Sequence, residues 1–213
     1  MKIVIPAREG SKGLPHKNRK LFDYTANIIP YELKKYVYVF SDDADIIQSG
    51  RDYGFNITPR PISISQDTTS TKETMEYFIK YNKCDKTDDI IMLYLTYPER
   101  KWEHVVEALR TMNQTGSKSL LCKKPACGTP YLMLKEEDGN RGSQLFKHDL
   151  YRRQDYAKCF ELSHYISIFN ASELNNLNNN LYNDNTIFID MPNDIVDIDT
   201  QKELDYLEWK KSQ

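Results

Sequence analysis

A short segment near the start of the chain, residues 8–18, is dense in groups that bind phosphate. It holds two glycines and three basic side chains: Gly10, Gly13, Arg8, Lys12 and Lys17. Glycine lets backbone N–H groups approach a phosphate closely, and lysine and arginine neutralise a triphosphate or a departing pyrophosphate. The segment is neither a GxxxxGK[ST] loop nor a GxGxxG turn. We predict that it grips the triphosphate of a nucleotide, with a solvated basic turn as the alternative.

The phosphate-binding segment directly follows an apolar run, residues 2–6, which predicts a buried central strand. Further strands are predicted over 36–40, 56–60, 90–95 and 119–122, and helices over 45–53, 71–81 and 102–113. This alternation is typical of an α/β fold with a doubly wound, mostly parallel, Rossmann-like sheet. Ligands of such sheets bind at the carboxyl ends of the strands. We therefore expect the three polar clusters that follow strands to meet there: residues 7–18, 41–43 and 96–100.

The rest of the chain is less regular, and we predict that residues 1–213 form one domain. Residues 123–165 contain a hairpin-like turn and are expected to form a small projecting arm. A helix and loop are predicted over 170–185, strand material over 187–198 and a final helix over 200–210.

Two carboxylates near the end of the chain, Asp197 and Asp199, are two residues apart. On a strand this spacing places both side chains on one face. Paired carboxylates suit Mg²⁺, which prefers oxygen ligands and is commonly shared with substrate phosphates. We predict a metal role for the pair, with a solvated acidic turn as the alternative.

Composition limits the classes of partner. The formal net charge is -2, so no general positive field points to nucleic acid or to an anionic membrane. No segment approaches the apolar length of a bilayer span, and a cytoplasmic location is predicted. The four cysteines are widely spaced and are expected to be reduced thiols rather than zinc ligands.

Residues 5–18, IPAREGSKGLPHKN, resemble the signature of the acylneuraminate cytidylyltransferase (CMP-N-acetylneuraminate synthetase) family. Relatives in that family act on pseudaminic, legionaminic and related nonulosonic acids. The resemblance continues in order along most of the chain. It covers SDD at 41–43, RP at 60–61, LYLTYPER at 93–100, RRQD at 152–155 and VDIDT at 196–200.

The resemblance implies a nucleotide-diphospho-sugar transferase-like fold and a nucleotidyltransferase that moves CMP from CTP to an acidic sugar, releasing pyrophosphate. It implies Mg²⁺ (or Mn²⁺) as cofactor, and a homodimer that exchanges the arm. The implied catalytic residues are Arg8, Lys12, Lys17 and Asp199, and the implied metal ligands are Asp197 and Asp199. The implied nucleotide-binding residues are Ala7, Arg8, Gly10, Ser11, Lys12, Gly13, Asn18, Arg60 and Thr71. The implied sugar-binding residues are Arg153, Gln154, Tyr94 and Ser163.

Departures from the family pattern cluster on the sugar side. Tyr94 and Tyr97 stand where LQPTSPLR has glutamine and serine, Glu161 stands at an arginine position, and Ser163 and His164 replace an Asn-Gly pair. A glutamate facing a sugar carboxylate would repel it. Two alternatives therefore stay open: the same fold with a different acceptor, or a catalytically weak nucleotide-binding protein. The chain is also shorter than the family pattern between Lys20 and Ser41, which predicts a short first helix within residues 25–35.

Overall fold

Strand β1 (Lys2–Ala7) lies in the interior of a seven-stranded sheet because its side chains are apolar on both faces. The computed structural model describes residues 1–10 and 13–213, so the predictions for Ser11 and Lys12 lie outside the described residues. The other strands of the sheet are β2 (Val37–Ser41), β3 (Asn56–Pro59), β4 (Asp89–Met92), β5 (Ser119–Pro125), β8 (Phe160–Asn170) and β9 (Ile187–Asp190). Their order across the sheet is β3-β2-β1-β4-β8-β5-β9. Strands β6 (Leu134–Glu137) and β7 (Arg141–Gln144) form a separate hairpin.

Helices cover both faces of the large sheet, which confirms the predicted doubly wound α/β class. The α-helices are α1 (Lys17–Asn27), α2 (Ala44–Asp52), α3 (Thr71–Tyr81), α4 (Trp102–Thr115) and α5 (Gln201–Lys211). Alternate residues of β1 enter opposite cores, as the two-residue period of a strand requires. Ile3 and Ile5 join the core that contains Leu21 of α1 and Val105 of α4, whereas Val4 joins the core that contains Phe78 of α3.

The prediction missed β8, which lies between β4 and β5 and is antiparallel to both. Residues 160–165 were assigned to the arm, although the buried run Tyr165–Phe169 has the β-branched and aromatic composition of a central strand. Pairing of β5 with β8 shifts from Leu121↔Ser167 to Cys122↔Ser163, so β8 is irregular at residues 164–166. Such bulges re-aim side chains and are common beside active sites.

Three other segments differ from the prediction. The first helix begins at Lys17, not within 25–35, because Leu21, Phe22, Thr25 and Ala26 form one buried face of α1. Residues 31–36 form a 3₁₀-helix instead. The expected strand over 187–198 ends at Asp190, and the expected helix within 170–185 is limited to a 3₁₀ segment at residues 171–176.

The arm contains the predicted turn. β6 and β7 are exposed along their whole length, and their hairpin includes Gly139 at a φ of 70°, a conformation that favours glycine. In the part of the chain described by the structure, every helix falls short of the length and apolarity needed to cross a bilayer.

Candidate active site

A cleft at the carboxyl ends of β1 and β4 gathers most of the predicted nucleotide-binding side chains. It encloses about 200 Å³. Its polar lining consists of Arg8, Lys17, Asn18, Arg60, Thr69, Thr71, Thr74, Tyr94 and Thr96. Three of these side chains are cationic, so the cleft suits an anionic ligand. Ala7 ends β1 beside it, and Gly10 lies in the following turn with a φ of 79°.

Hydrogen bonds fold the phosphate-binding segment back over the sheet. Arg8 donates through Nη1 to the Gly10 carbonyl at 3.1 Å, and Asn18 Nδ2 donates to the Arg8 carbonyl at 2.8 Å. The Glu9 amide donates to Asp42 Oδ1 at 2.8 Å, which joins the segment to the polar cluster after β2. The expected meeting of these two clusters is therefore confirmed.

Two of the three cations of the cleft are ion-paired in this structure. Arg8 Nη2 lies 2.5 Å from Asp67 Oδ1, and Lys17 Nζ lies 2.6 Å from Asp199 Oδ1. Both pairs are partly solvent-exposed, so each contributes little to stability. The Lys17 pair nevertheless positions two elements, because it joins α1 to the segment that precedes α5.

Gly13 lies close to the backbone of that C-terminal segment. A Cβ atom at position 13 would lie far inside van der Waals contact of the Asp199 carbonyl oxygen. Only glycine lets the two backbones come this close. The structure therefore gives Gly13 a packing role at the boundary of the site.

Arg60 and Thr71 also line the cleft. Arg60 Nη2 donates to the Ile64 carbonyl at 2.7 Å, and the guanidinium lies 5.6 Å from the centre of the Phe40 ring. Burial lowers the pKa of Arg60. Thr71 opens α3, whose Ser70 N-cap forms a capping box with Glu73, and its hydroxyl lies 3.3 Å from the Tyr94 hydroxyl.

Asp197 lies in an irregular segment rather than at a strand end, which corrects the prediction of a shared strand face. The Ile198 amide donates to the Thr96 carbonyl at 2.8 Å, so this segment is fastened to the loop after β4. Asp197 Oδ2 accepts from the Tyr97 hydroxyl at 2.9 Å, whereas Oδ1 is buried and has no hydrogen-bond partner among residues 1–10 and 13–213. Burial raises the pKa of Asp197, and the neighbouring Asp199 carboxylate adds to this effect. The Asp199 side chain is 64% exposed.

A buried arginine that the sequence did not single out, Arg100, fastens the loop after β4 to β8. It is 2% exposed, and it donates through Nε to the Tyr165 carbonyl at 2.8 Å and through Nη2 to the Tyr94 carbonyl at 2.7 Å. Its guanidinium lies 5.6 Å and 5.4 Å from the ring centres of Tyr97 and Tyr165. Burial lowers the pKa of Arg100 to about 10. The segment 93–100 carried this arginine, but nothing local indicated that it would be buried.

The four predicted sugar-binding residues are not brought into one place. Tyr94 lines the nucleotide cleft, and Ser163 is buried with its hydroxyl 3.2 Å from that of Tyr97. Arg153 and Gln154 line a separate, open cavity of about 610 Å³ at the base of the arm, together with Cys127, Lys158 and other residues.

Glu161, the departure expected to repel a carboxylate, is engaged by the end of β5. Its Oε1 accepts from the Cys127 amide at 2.8 Å, and its Oε2 lies 3.4 Å from Lys124 Nζ. The hydrogen bond from Cys127 lowers the pKa of Glu161. Its negative charge is thus balanced by protein groups.

The described residues contain no cluster of three or more side chains suited to hold a metal ion. The two carboxylates that the sequence assigns to a metal, Asp197 and Asp199, interact with each other, and Asp199 also contacts Lys17, which lines the cleft. Mg²⁺ is commonly held by one or two carboxylates together with substrate phosphates, so two are sufficient.

The fold is similar to that of solved cytidylyltransferases. The CMP:2-keto-3-deoxy-manno-octonic acid synthetase complexed with CTP has a TM-score of 0.64 over 100% of this chain and 98% of that chain, at 17% identity. The 2-C-methyl-D-erythritol 4-phosphate cytidylyltransferase of Francisella tularensis has a TM-score of 0.65 over 98% and 99%, at 14% identity. At these identities the likeness establishes the fold. No family model matches the chain.

Two curated relatives confirm the resemblance read from the motifs. The post-translational flagellin modification protein B of Campylobacter coli is 26% identical over 221 residues, which cover 97% of this chain and 92% of that protein. The N-acylneuraminate cytidylyltransferase of Escherichia coli O18:K1:H7 is 32% identical over 116 residues. That match covers 50% of this chain and 27% of the relative, so it spans about a quarter of the longer protein.

Proposed function

We propose that this protein is a CTP-dependent cytidylyltransferase that transfers CMP to an acidic, nonulosonic sugar and releases pyrophosphate. One observation carries the proposal: a single cleft in a cytidylyltransferase-like fold gathers Arg8, Lys17, Asn18, Arg60 and Thr71. These are the described residues that the motif resemblance assigns to the nucleotide, apart from the backbone positions at 7, 10 and 13. The name of one relative, N-acylneuraminate cytidylyltransferase, supports a sialic-acid-like acceptor.

In the proposed reaction the sugar hydroxyl attacks the α-phosphorus of CTP. A bond forms between the sugar oxygen and that phosphorus, the bond to the bridging oxygen of the β-phosphate breaks, and pyrophosphate leaves, while the hydroxyl proton is released to water. Arg8 and Lys17 are placed to neutralise the phosphates, and Lys12 is assigned the same role from sequence. Asn18, Arg60 and Thr71 would hold the nucleotide and align it for in-line attack.

The chain's carboxylates fit a divalent cation. Asp197 presents a buried oxygen without a hydrogen-bond partner among the described residues, and the ammonium of Lys17 already contacts Asp199. We propose that Asp197 and Asp199 hold Mg²⁺ (or Mn²⁺), which when bound would neutralise and orient the triphosphate.

A second candidate, the same chemistry with a different acceptor, is favoured by how the departures from the family pattern pack. Tyr94 and His164 contact each other with ring centres 5.5 Å apart, and the hydroxyls of Tyr97 and Ser163 are 3.2 Å apart. Because these substituted side chains pack against and hydrogen-bond to one another, they favour an acceptor site with a different specificity over an acceptor site that has lost its function.

A pyrophosphate-release screen tests the proposed function. Each of the four NTPs is supplied with Mg²⁺ against nonulosonic acids, other acidic sugars and neutral sugars. We expect release with CTP and a nonulosonic acid. Release with CTP and only a different sugar would select the second candidate. Activity with another NTP and none with CTP for any acceptor would exclude the cytidylyl assignment.

We further propose that the arm forms a homodimer. Between residues 130 and 156 the arm exposes a series of large apolar side chains: Leu132, Met133, Leu134, Leu145, Phe146, Leu150 and Tyr151. Exposed apolar patches of this kind mark interaction surfaces. Light scattering is expected to report twice the chain's mass of 25.0 kDa, and a monomer at micromolar concentration would contradict the proposal. The cytoplasmic location stays a prediction from sequence.

A further inference from the structure

We infer that Tyr97 is a positioning residue for Asp197, holding one carboxylate oxygen so that the other is presented to the divalent cation. The inference rests on the proposed function, because it gives Asp197 a purpose only if that carboxylate binds the cation. It concerns a residue that departs from the family pattern, in which a serine occupies this position.

The first step of the argument is the contact itself. The Tyr97 hydroxyl donates to Asp197 Oδ2 at 2.9 Å. Asp197 Oδ1 is buried and makes no hydrogen bond of normal geometry within the described chain, although the Thr96 side chain also interacts with this carboxylate. A buried carboxylate oxygen without a partner is costly to maintain, so its retention points to a ligand. The phenol thus divides the carboxylate into a held oxygen and an available one.

The second step is the support behind the phenol. The single proton of Tyr97 goes to Asp197, so the phenol oxygen is left as an acceptor 3.2 Å from Ser163 Oγ. The one proton of the Ser163 hydroxyl is shared between this oxygen and Met191 Sδ, which is also 3.2 Å away, and Ser163 Oγ accepts from the Tyr165 amide at 3.2 Å. This relay ends in the backbone of β8, in its irregular stretch. The orientation of Asp197 is therefore fixed by the backbone of the sheet and not by a mobile side chain.

The third step is the fixation of the ring. Tyr97 is 5% exposed, packs edge-on against Tyr165 with ring centres 5.4 Å apart, and lies against the guanidinium of Arg100. A serine at position 97 would carry its hydroxyl on Cβ, at the near end of the volume that the ring fills. Groups that orient a ligating carboxylate by hydrogen bonding typically change metal affinity by 10–100-fold when removed.

The test measures Mn²⁺ binding by electron paramagnetic resonance, with saturating CTP and without sugar, so that no turnover is needed. Tyr97→Phe removes the hydroxyl and keeps the ring. We expect roughly tenfold weaker Mn²⁺ binding, with CTP binding in EDTA and the thermal midpoint close to those of the unmodified protein. Tyr165→Phe is the matched control, because Tyr165 packs in the same cluster but its hydroxyl contacts His104 Nδ1 at 2.5 Å. It should leave Mn²⁺ binding unchanged.

Asp197→Asn distinguishes the metal role of Asp197 from the positioning role of Tyr97. If it abolishes Mn²⁺ binding while Tyr97→Phe binds normally, the inference is overturned and the metal role of Asp197 stands. If Asp197→Asn itself binds Mn²⁺ normally, the metal role fails and the inference fails with it. Should Tyr97→Phe not fold, Ser163→Ala takes its place, and unchanged Mn²⁺ affinity in that variant overturns the inference.

Discussion

Asp199→Asn is expected to lower turnover by roughly 10²–10³-fold while leaving the fold intact. The substitution removes the negative charge that would hold the cation against the triphosphate. The side chain is 64% exposed, and its ion pair with Lys17 is a surface pair, so the free energy of unfolding should change by less than about 1 kcal/mol. Steady-state pyrophosphate release and urea denaturation measure the two quantities.

Nucleotide binding distinguishes this metal role from a general electrostatic effect. With the Lys17 ammonium freed from its partner, CTP should bind Asp199→Asn in EDTA at least as tightly as it binds the unmodified protein. Asp194→Asn is the control, since Asp194 lies in the same C-terminal segment and its side chain is 81% exposed. Unchanged turnover in Asp199→Asn would remove the metal proposal.

Gly13→Ala is expected to lower kcat/KM by roughly 100-fold, because a displacement of about 1 Å at a reacting centre can cost that much. The new methyl group would overlap the Asp199 carbonyl oxygen, so the phosphate-binding segment and the segment before α5 must separate. Overpacking of this kind also costs about 1–3 kcal/mol of stability. Turnover and thermal unfolding of the same preparation measure both effects.

Gly54→Ala is the matched control for Gly13→Ala. Gly54 has a φ of 77° and open space at its Cβ position, in the turn between α2 and β3. Alanine there should cost about 1–2 kcal/mol through backbone strain, without loss of activity after correction for the folded fraction. Full activity in Gly13→Ala would show that the close approach has no functional role.

Local patterns predicted the elements that position the phosphates. The run at 2–6 and the run around Ile90–Met92 were identified as buried strands, and the structure confirms both. The clusters at residues 7–18 and 41–43 follow adjacent parallel strands, and topology alone brought them together. The order of the motifs along the chain predicted Arg60 and Thr71 as further nucleotide-binding residues, and both line the same cleft.

The remainder depends on contacts between distant parts of the chain. Tyr97 and Ser163 are 66 residues apart in sequence, and Arg100 and Tyr165 are 65 apart, so no local period could pair them. β8 was missed because its first residues, Phe160 to His164, mix apolar and polar side chains without a regular period, and they are held in the strand by pairing with β5. The environment of Asp197 likewise depends on Tyr97, which a two-residue spacing cannot reveal.

Arg8 is paired with Asp67, and Lys17 is paired with Asp199. Under the proposed function, a nucleotide that binds to the cleft would exchange its phosphates for these carboxylates. Without nucleotide, each cation is neutralised by a carboxylate of the protein itself. An arriving triphosphate must displace these carboxylates, and in doing so it releases Asp199 close to its own phosphates. Under the proposed function, the Asp199 carboxylate therefore becomes available to a cation only when the nucleotide is present. Nucleotide and cation would then enter as a cooperative pair, and smaller anions with fewer charges would compete poorly for the same two cations.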